Sequence, residues 1–373
     1  MHRRALRGFG ALAVLALVAA ACGDDDDDTA AEDEAAEATD EEADGEAAAD
    51  FRACQVTDVG GVDDRSFNET AFRGLEEAAA DFDFEPSITE SQSADDYAPN
   101  IDALVGEDCN LVITVGFLLG DATAAAAETY PDTQFAIVDF DFADQDTGED
   151  ITFDNVRELT FATDEAAFLG GYVAAAMTET GTLGTYGGIN IPTVTIFMDG
   201  FEAGMNHYNE ETGSDVELVG WSAAEQDGLF TGDFENQAAG RATTEQLLDQ
   251  GADIIMPVAG PVGQGSIEAV RARGGDEKIV WVDTDGCFSL PDECDLFLTS
   301  VMKNMDVAVY DTVESAVEGT FEGGLFTGTL ENEGVGIAPY NEFEDDVPDE
   351  VKDAVDELRQ QIIDGELETT PSG

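Results

Sequence analysis

From residue 54 onward the chain alternates short, continuously apolar runs with longer stretches in which apolar residues recur every three or four positions. The runs at 54–59, 111–116, 134–139, 183–188, 216–221, 253–258, 278–283 and 297–302 read as strands buried on both faces. The stretches at 66–82, 121–130, 164–178, 193–209, 236–250, 265–273 and 306–321 read as the helices between them. Strands separated by single helices imply parallel sheets covered on both sides. About 320 residues of this pattern exceed one sheet, so the expected class is α/β with two doubly wound parallel-sheet lobes.

Ligands in such folds sit beyond the carboxyl ends of the strands. That rule nominates Asp58 with the following GGVDDRSFN, Gly116 with Phe117, Asp139, Gly187 with Gly188, Ala259 with Gly260, and Asp283 through Asp285. The first of these, VTDVGGVDDRSFNETAFRGLE at 56–76, lacks the glycine spacing of a dinucleotide loop and the lysine of a P-loop. Its two aspartates would repel a phosphate, and Asp58, Asp63 and Asp64 do not fit the alternation of a calcium loop. Ser66 and Glu69 form an S-x-x-E pattern that reads as a capping box. Phe67, Ala71, Leu75, Ala78 and Phe82 then share a helical face, which makes Phe67 core by spacing, although a first-turn position also allows it to overhang a cleft.

The N-terminus breaks the pattern. Three arginines within residues 2–7, an apolar run at 9–21 and Ala19-Ala20-Ala21-Cys22 read as a secretory leader ending in a lipobox, with Cys22 the lipidated residue. Residues 24–50 hold fifteen acids and no base, the composition of a disordered tether; as a flexible coil it spans about 30 Å. Setting aside the leader arginines and tether acids, residues 51–373 carry 11 bases and 69 acids, a net charge of −58. Nucleic acid and anionic membrane surfaces are poor partners for such a surface, and phosphorylated ligands are disfavoured. Lysine occurs only at 278, 303 and 352, which draws attention to any lysine inside a motif. Cys54, Cys109, Cys287 and Cys294 remain after Cys22, an even number in an exported chain; the expected disulfides are Cys54–Cys109, at two strand starts, and Cys287–Cys294, a local loop. Metal ligation would need tighter clusters, and His207 stands alone, so no metal and no cofactor are expected.

Taken in order, VTDVGGVDDRSFNETAFRGL, ITVGFLLGDA, YPDTQFAIVD, DEAAFLGGYVAAAMTETG, VTIFMDGFEAGM, GADIIMPVAGPVGQG, WVDTD and LTSVMKNMDVAVYD resemble the basic membrane protein family of ABC-transporter substrate-binding lipoproteins, the group containing purine nucleoside receptors. The resemblance spans roughly residues 53–340 and implies a type I periplasmic-binding fold with three crossovers between lobes. The expected division is 51–161 with 286–320 in the N-terminal lobe, 162–285 with 321–345 in the C-terminal lobe, and a C-terminal helix and tail at 346–373. The resemblance also implies roles. Phe67 stacks on a purine, Asn68 hydrogen-bonds the base, and Asp58 and Asp139 accept its N–H groups. Phe234 stacks from the opposite lobe, with Phe230 and Phe201 as rivals because 223–233 matches the family poorly. Gly260 lets backbone approach the sugar, Asp283 or Asp285 accepts ribose hydroxyls, and Lys303 donates to them. Arg65, Met302 and Asn304 depart from the family's usual residues.

The implied function is a monomeric, lipid-anchored, extracytoplasmic receptor that delivers a neutral nucleoside to an ABC permease and its ATPase. A riboflavin, other aromatic or sugar receptor is the alternative, and a nucleoside-cleaving enzyme the alternative from another class. No G-x-S-x-G or H-E-x-x-H motif supports the latter.

Overall fold

The computed structural model describes residues 51–143 and 151–370. The expected leader with Cys22, the acidic tether and the last three residues lie outside the described residues.

The chain opens with β1 (Ala53–Thr57), all five residues buried. It then adds α1 (Phe67–Phe82), β2 (Ser87–Thr89), α2 (Tyr97–Gly106), β3 (Leu111–Val115), α3 (Gly120–Thr129), β4 (Gln134–Val138) and β5 (Val156–Phe161). Past Phe161 it enters a second lobe through α4 (Thr163–Met177), β6 (Thr182–Gly187), α5 (Pro192–Thr212) and β7 (Glu217–Val219). That lobe continues with a ribbon of β8 (Trp221–Ser222) and β9 (Asp227–Gly228), then α6 (Gln237–Asp249), β10 (Ile254–Val258), α7 (Gln264–Arg273), β11 (Lys278–Asp283), α8 (Gly286–Ser289) and β12 (Phe297–Lys303). After Lys303 the chain returns to the first lobe for α9 (Met305–Val317), packed on α1, and β13 (Gly324–Gly328). A third crossing leads to β14 (Val335–Ile337) and α10 (Asp349–Ile363), which packs on α4.

One sheet runs β13-β5-β4-β3-β1-β2, parallel throughout, and the other β14-β12-β11-β10-β6-β7, parallel except for β14. The two orders superpose when β1, β3 and β4 are matched to β6, β10 and β11. Each lobe is therefore the same doubly wound unit, with three crossovers between them, the arrangement of a type I periplasmic-binding fold. The repeat lies in topology; none is obvious in the sequence.

Two expectations are corrected here. β12 hydrogen-bonds to β11, so residues 297–303 belong to the C-terminal lobe, and β13 hydrogen-bonds to β5, so 324–328 belong to the N-terminal one. A strand's lobe is decided by its non-local pairing, which an apolar run does not record. The apolar run at 216–221 is interrupted by Gly220 (φ +95°) and divides into β7 and the start of the ribbon.

Both lobes are stapled covalently as well as packed. The Cys54–Cys109 disulfide ties β1 to the turn that leads into β3, its neighbour in the sheet, and Cys287–Cys294 closes the loop of α8. α4 and α5 cross so closely that a Cβ at Gly171 would lie 2.1 Å from the Phe201 carbonyl oxygen and one at Gly204 1.9 Å from that of Phe168. Only glycine permits that approach.

Candidate ligand-binding site

The carboxyl ends of the two sheets face one another and enclose a cavity. Because the lobes repeat, the cavity walls come from equivalent strand ends. Asp139 directly follows β4 and Asp283 ends β11, and both hold the left-handed conformation, φ +65° and +69°. This region is tolerated by Asp but costs about 1–3 kcal/mol, so the fold holds these two carboxylates in place against a local penalty. Gly116, after β3, has φ +119°; a Cβ there would lie 2.9 Å from Asp58 Oδ2, so glycine makes room for the acid that follows β1.

The loop after β1 is organised by Asp64. Its Oδ1 accepts from the backbone N–H groups of Ser66 (3.0 Å) and Glu69 (3.1 Å), and its Oδ2 from that of Asn68 (2.7 Å). Asp64 is thus the cap of α1, and the expected capping box is corrected: Ser66 makes no capping bond and Glu69 pairs with Arg65 at 3.2 Å. Asp64 wins because one carboxylate satisfies three donors at the positive end of a helix. Released from capping, Ser66 Oγ donates across the cleft to Asp283 Oδ2 at 2.6 Å. Burial nonetheless pushes the Asp64 carboxyl up to about 7, against those three hydrogen bonds.

Eight of the nine expected binding residues line this cavity: Asp58, Phe67, Asn68, Asp139, Phe234, Gly260, Asp283 and Lys303. Phe67 leaves the buried stripe of α1, formed by Ala71, Leu75 and Ala78, and borders the cavity. Asn68 is buried, donates Nδ2 to Asp58 Oδ1 at 2.8 Å, and leaves its own Oδ1 without a partner. Asp58 Oδ1 also accepts from Gly60 N at 3.0 Å. From the opposite lobe Phe234 lies over Gly188, where a Cβ would come within 2.3 Å of its ring. Its rivals are occupied elsewhere: Phe230 packs on Gly187 and edge-on to Trp221, and Phe201 is wholly buried in α5.

The ninth, Asp285, is not in the cavity. Two residues past the end of β11 its carboxylate caps α8 through Cys287 N at 2.9 Å and meets Asn341 Nδ2 at 3.5 Å. Of the two, Asp283 is the one that borders the cavity. The sequence reasoning also missed Phe197, on α5, and Asp64; Phe117 stood in the strand-end set without being assigned a role.

Lys303 is the most informative side chain. It is 2% exposed, ion-paired through Nζ with Asp139 Oδ2, and 4.0 Å from Asp283 Oδ1. Its ammonium also lies 5.0 Å from the Phe67 ring centroid, 5.3 Å from Phe197 and 5.7 Å from Phe161. Desolvation raises the Asp58, Asp139 and Asp283 carboxyls above their ordinary range; Lys303 opposes this at the last two, and Asn68 with Gly60 at Asp58. The remaining space is small, about 60 Å³, room for a few waters. Phe117, Asp139, Thr193 and Lys303 also border a wider space of about 550 Å³ beside the first crossover, walled by Thr160, Phe161 and Thr163. His207 lies away from all of this, against Phe168 and Tyr172.

Paired α/β lobes with three crossovers and a cavity between strand ends make up a type I periplasmic-binding architecture, and comparison with known proteins says which family the chain represents. Residues 51–370 match the model of the Bmp family, described as ABC transporter substrate-binding protein PnrA-like. The chain belongs to that family. Among its relatives is the ABC transporter nucleoside-binding protein BmpA of Lactococcus lactis, 30% identical over 88% of this chain and 91% of that protein. Basic membrane protein A1 of Borrelia garinii is 29% identical over 83% of this chain and 85% of its own length. A solved solute-binding protein of an ABC transporter system from Aeropyrum pernix superposes with a TM-score of 0.75 at 28% identity, covering 87% of this chain and 94% of its own. This Bmp-family protein is accordingly an ABC-transporter substrate-binding protein, which implies a small-molecule ligand and an importer. Other relatives, from Pyrococcus species, are named lipoproteins, consistent with an extracytoplasmic, membrane-anchored location.

Proposed function

We propose that this protein captures a purine nucleoside between its lobes and delivers it to an ABC permease. One observation carries the reading: phenylalanines from opposite lobes, Phe67 and Phe234, border a cavity whose rim holds Asp58 with Asn68 and also Asp139, Asp283 and Lys303. A purine is a flat plate with polar edges, and a sugar offers adjacent hydroxyls. Aromatic rings suit the faces, at about 1–3 kcal/mol each, carboxylates suit N–H donors, and an acid–lysine pair suits hydroxyls. The name of the Lactococcus relative supports the same class. Among the described residues no arginine lines the cavity, which favours a nucleoside over a nucleotide.

A nucleoside is far larger than the present 60 Å³, so it enters an opened form and replaces the Lys303–Asp139 contact on closing. Contacts from both lobes favour the closed state, which is the form a permease can distinguish. The receptor is a monomer held to the membrane by a lipid on Cys22, with residues 23–50 as its leash; a Cys22→Ser variant should be released from cells.

Calorimetric titration with guanosine, inosine, adenosine and riboflavin tests the reading. Nucleoside binding that falls roughly 5- to 150-fold in Phe67→Ala is the expected result. Exclusive binding of riboflavin, unchanged affinity in Phe67→Ala, or release of free base would refute it.

A further inference from the structure

We propose that the cavity prefers a purine nucleoside whose ring carries a positive charge, the class represented by 7-alkylated guanosines. The proposal rests on the nucleoside reading and deepens it. It starts from a charge count. Asp58, Asp139 and Asp283 are each more than nine-tenths buried, and one base, Lys303, faces them. Lys303 is committed to Asp139 and stands 4.0 Å from Asp283. Asp64 does not enter the count, because its carboxylate is engaged by three backbone N–H groups at the start of α1.

Asp58 is left with neutral partners only, the Asn68 amide and Gly60 N, both on Oδ1. Its Oδ2 has no protein partner among the described residues, and the neighbouring Asn68 Oδ1 is a buried acceptor with none either. Two unpaired acceptors, one of them on a carboxyl that burial pushes toward its neutral form, call for a ligand edge made of donors, and positive charge close behind that edge favours the ionised carboxylate. The aromatic wall points the same way. An ammonium already lies 5.0 Å from the Phe67 ring centroid, so the face of this ring is placed to receive a cation. A cationic base stacked on it gains the same attraction at both faces of the plate.

A neutral guanine supplies the N1–H and exocyclic N–H₂ donors. Alkylation at N7 keeps those donors and spreads a full positive charge over the ring, next to the carboxylate that lacks one. A phosphate-bearing analogue would forfeit the gain, since it returns negative charge to the cavity.

The test compares guanosine, 7-methylguanosine and 7-deaza-7-methylguanosine by calorimetry on the whole protein. The last compound is a neutral isostere with the methyl group in the same place. The pH is set where 7-methylguanosine keeps its charge and its N1 proton. The expected result is at least about tenfold tighter binding of 7-methylguanosine than of the isostere, with the ratio falling toward one in Asp58→Asn. If guanosine and the isostere bind and 7-methylguanosine binds no tighter, the inference fails and the nucleoside reading stands. A ratio that persists in Asp58→Asn overturns the assignment to that carboxylate. If none of the three binds, the nucleoside reading fails, and the inference with it.

Discussion

Replacing Lys303 by Met removes the one cation among the described residues that line the cavity, while keeping most of the side chain's apolar volume. In the native protein Lys303 is 2% exposed, paired with Asp139 and 4.0 Å from Asp283, and both acids are themselves buried. Removing one partner of a buried pair leaves an uncompensated charge and costs about 3–5 kcal/mol. At roughly 2 °C per kcal/mol for a domain of this size, the melting temperature near pH 7.5 should fall by about 6–10 °C. The pH dependence is the stronger part of the prediction. Without lysine, the orphaned carboxyls can shed their charge by binding protons, and burial already raises both above the ordinary range. The folded variant then holds protons that its unfolded chain releases, so lowering the pH toward 5 should recover part of the loss. Asp139→Asn on the variant background should recover part of it at pH 7.5, giving a favourable coupling energy. Urea denaturation of the four proteins at the two pH values supplies every quantity. A loss below about 1 kcal/mol, a loss independent of pH, or simple additivity with Asp139→Asn would show that Lys303 is not neutralising these acids.

Two further outcomes follow from single features. Asp64 has its carboxyl raised from 3.8 to about 7 by burial, so the native state keeps a proton that the unfolded chain loses between about pH 4 and 7. Stability should fall as pH rises through that window, by up to about 1.4 kcal/mol per unit, and level off above it; Asp64→Asn should flatten the slope, and a wild-type melting temperature higher at pH 7.5 than at pH 5 in constant salt would contradict it. The Cys54–Cys109 disulfide closes a 55-residue separation, worth about 4 kcal/mol by chain entropy; the Cys54→Ala, Cys109→Ala double variant should lose that much in urea, and a loss under about 1 kcal/mol would refute the estimate.

Legibility in the sequence followed how local each decision was. β1, β3 and β10 are wholly buried, so they stand out as uninterrupted apolar runs. β5 does not, because Arg157 and Thr160 interrupt it and the buried Glu158 makes it look polar. β13 and β14 lie at sheet edges and are only partly buried, and no local signal says which sheet they join. For the site, the strand-end rule reached Asp58, Asp139, Gly260 and Asp283 because it depends on topology alone. It could not separate Asp283 from Asp285, where two residues of chain turn a cleft-facing acid into a helix cap. Phe197 was hidden because a phenylalanine in an apolar helix face looks like core, and Asp64 because Ser66 with Glu69 offered a stronger local pattern for the same task.

The repeat of the two lobes explains why that task mattered. Matching β4 to β11 places Asp139 and Asp283 at equivalent positions, so closing the lobes brings like charges toward one another. Such closure is costly unless a cation lies between them, and Lys303, at the crossover that ends β12, is in that position in both senses, spatial and topological. The structure therefore carries its own contacts across the cleft, Lys303 to Asp139 and Ser66 to Asp283. A capping Ser66 could not make the second. A ligand must exchange these for contacts of its own, and only the difference between the two sets is available to drive closure. On this argument Ser66→Ala should shift the empty protein toward the open form while leaving the Asp64 cap intact. Scattering that finds the empty variant no more extended than the wild type would refute it.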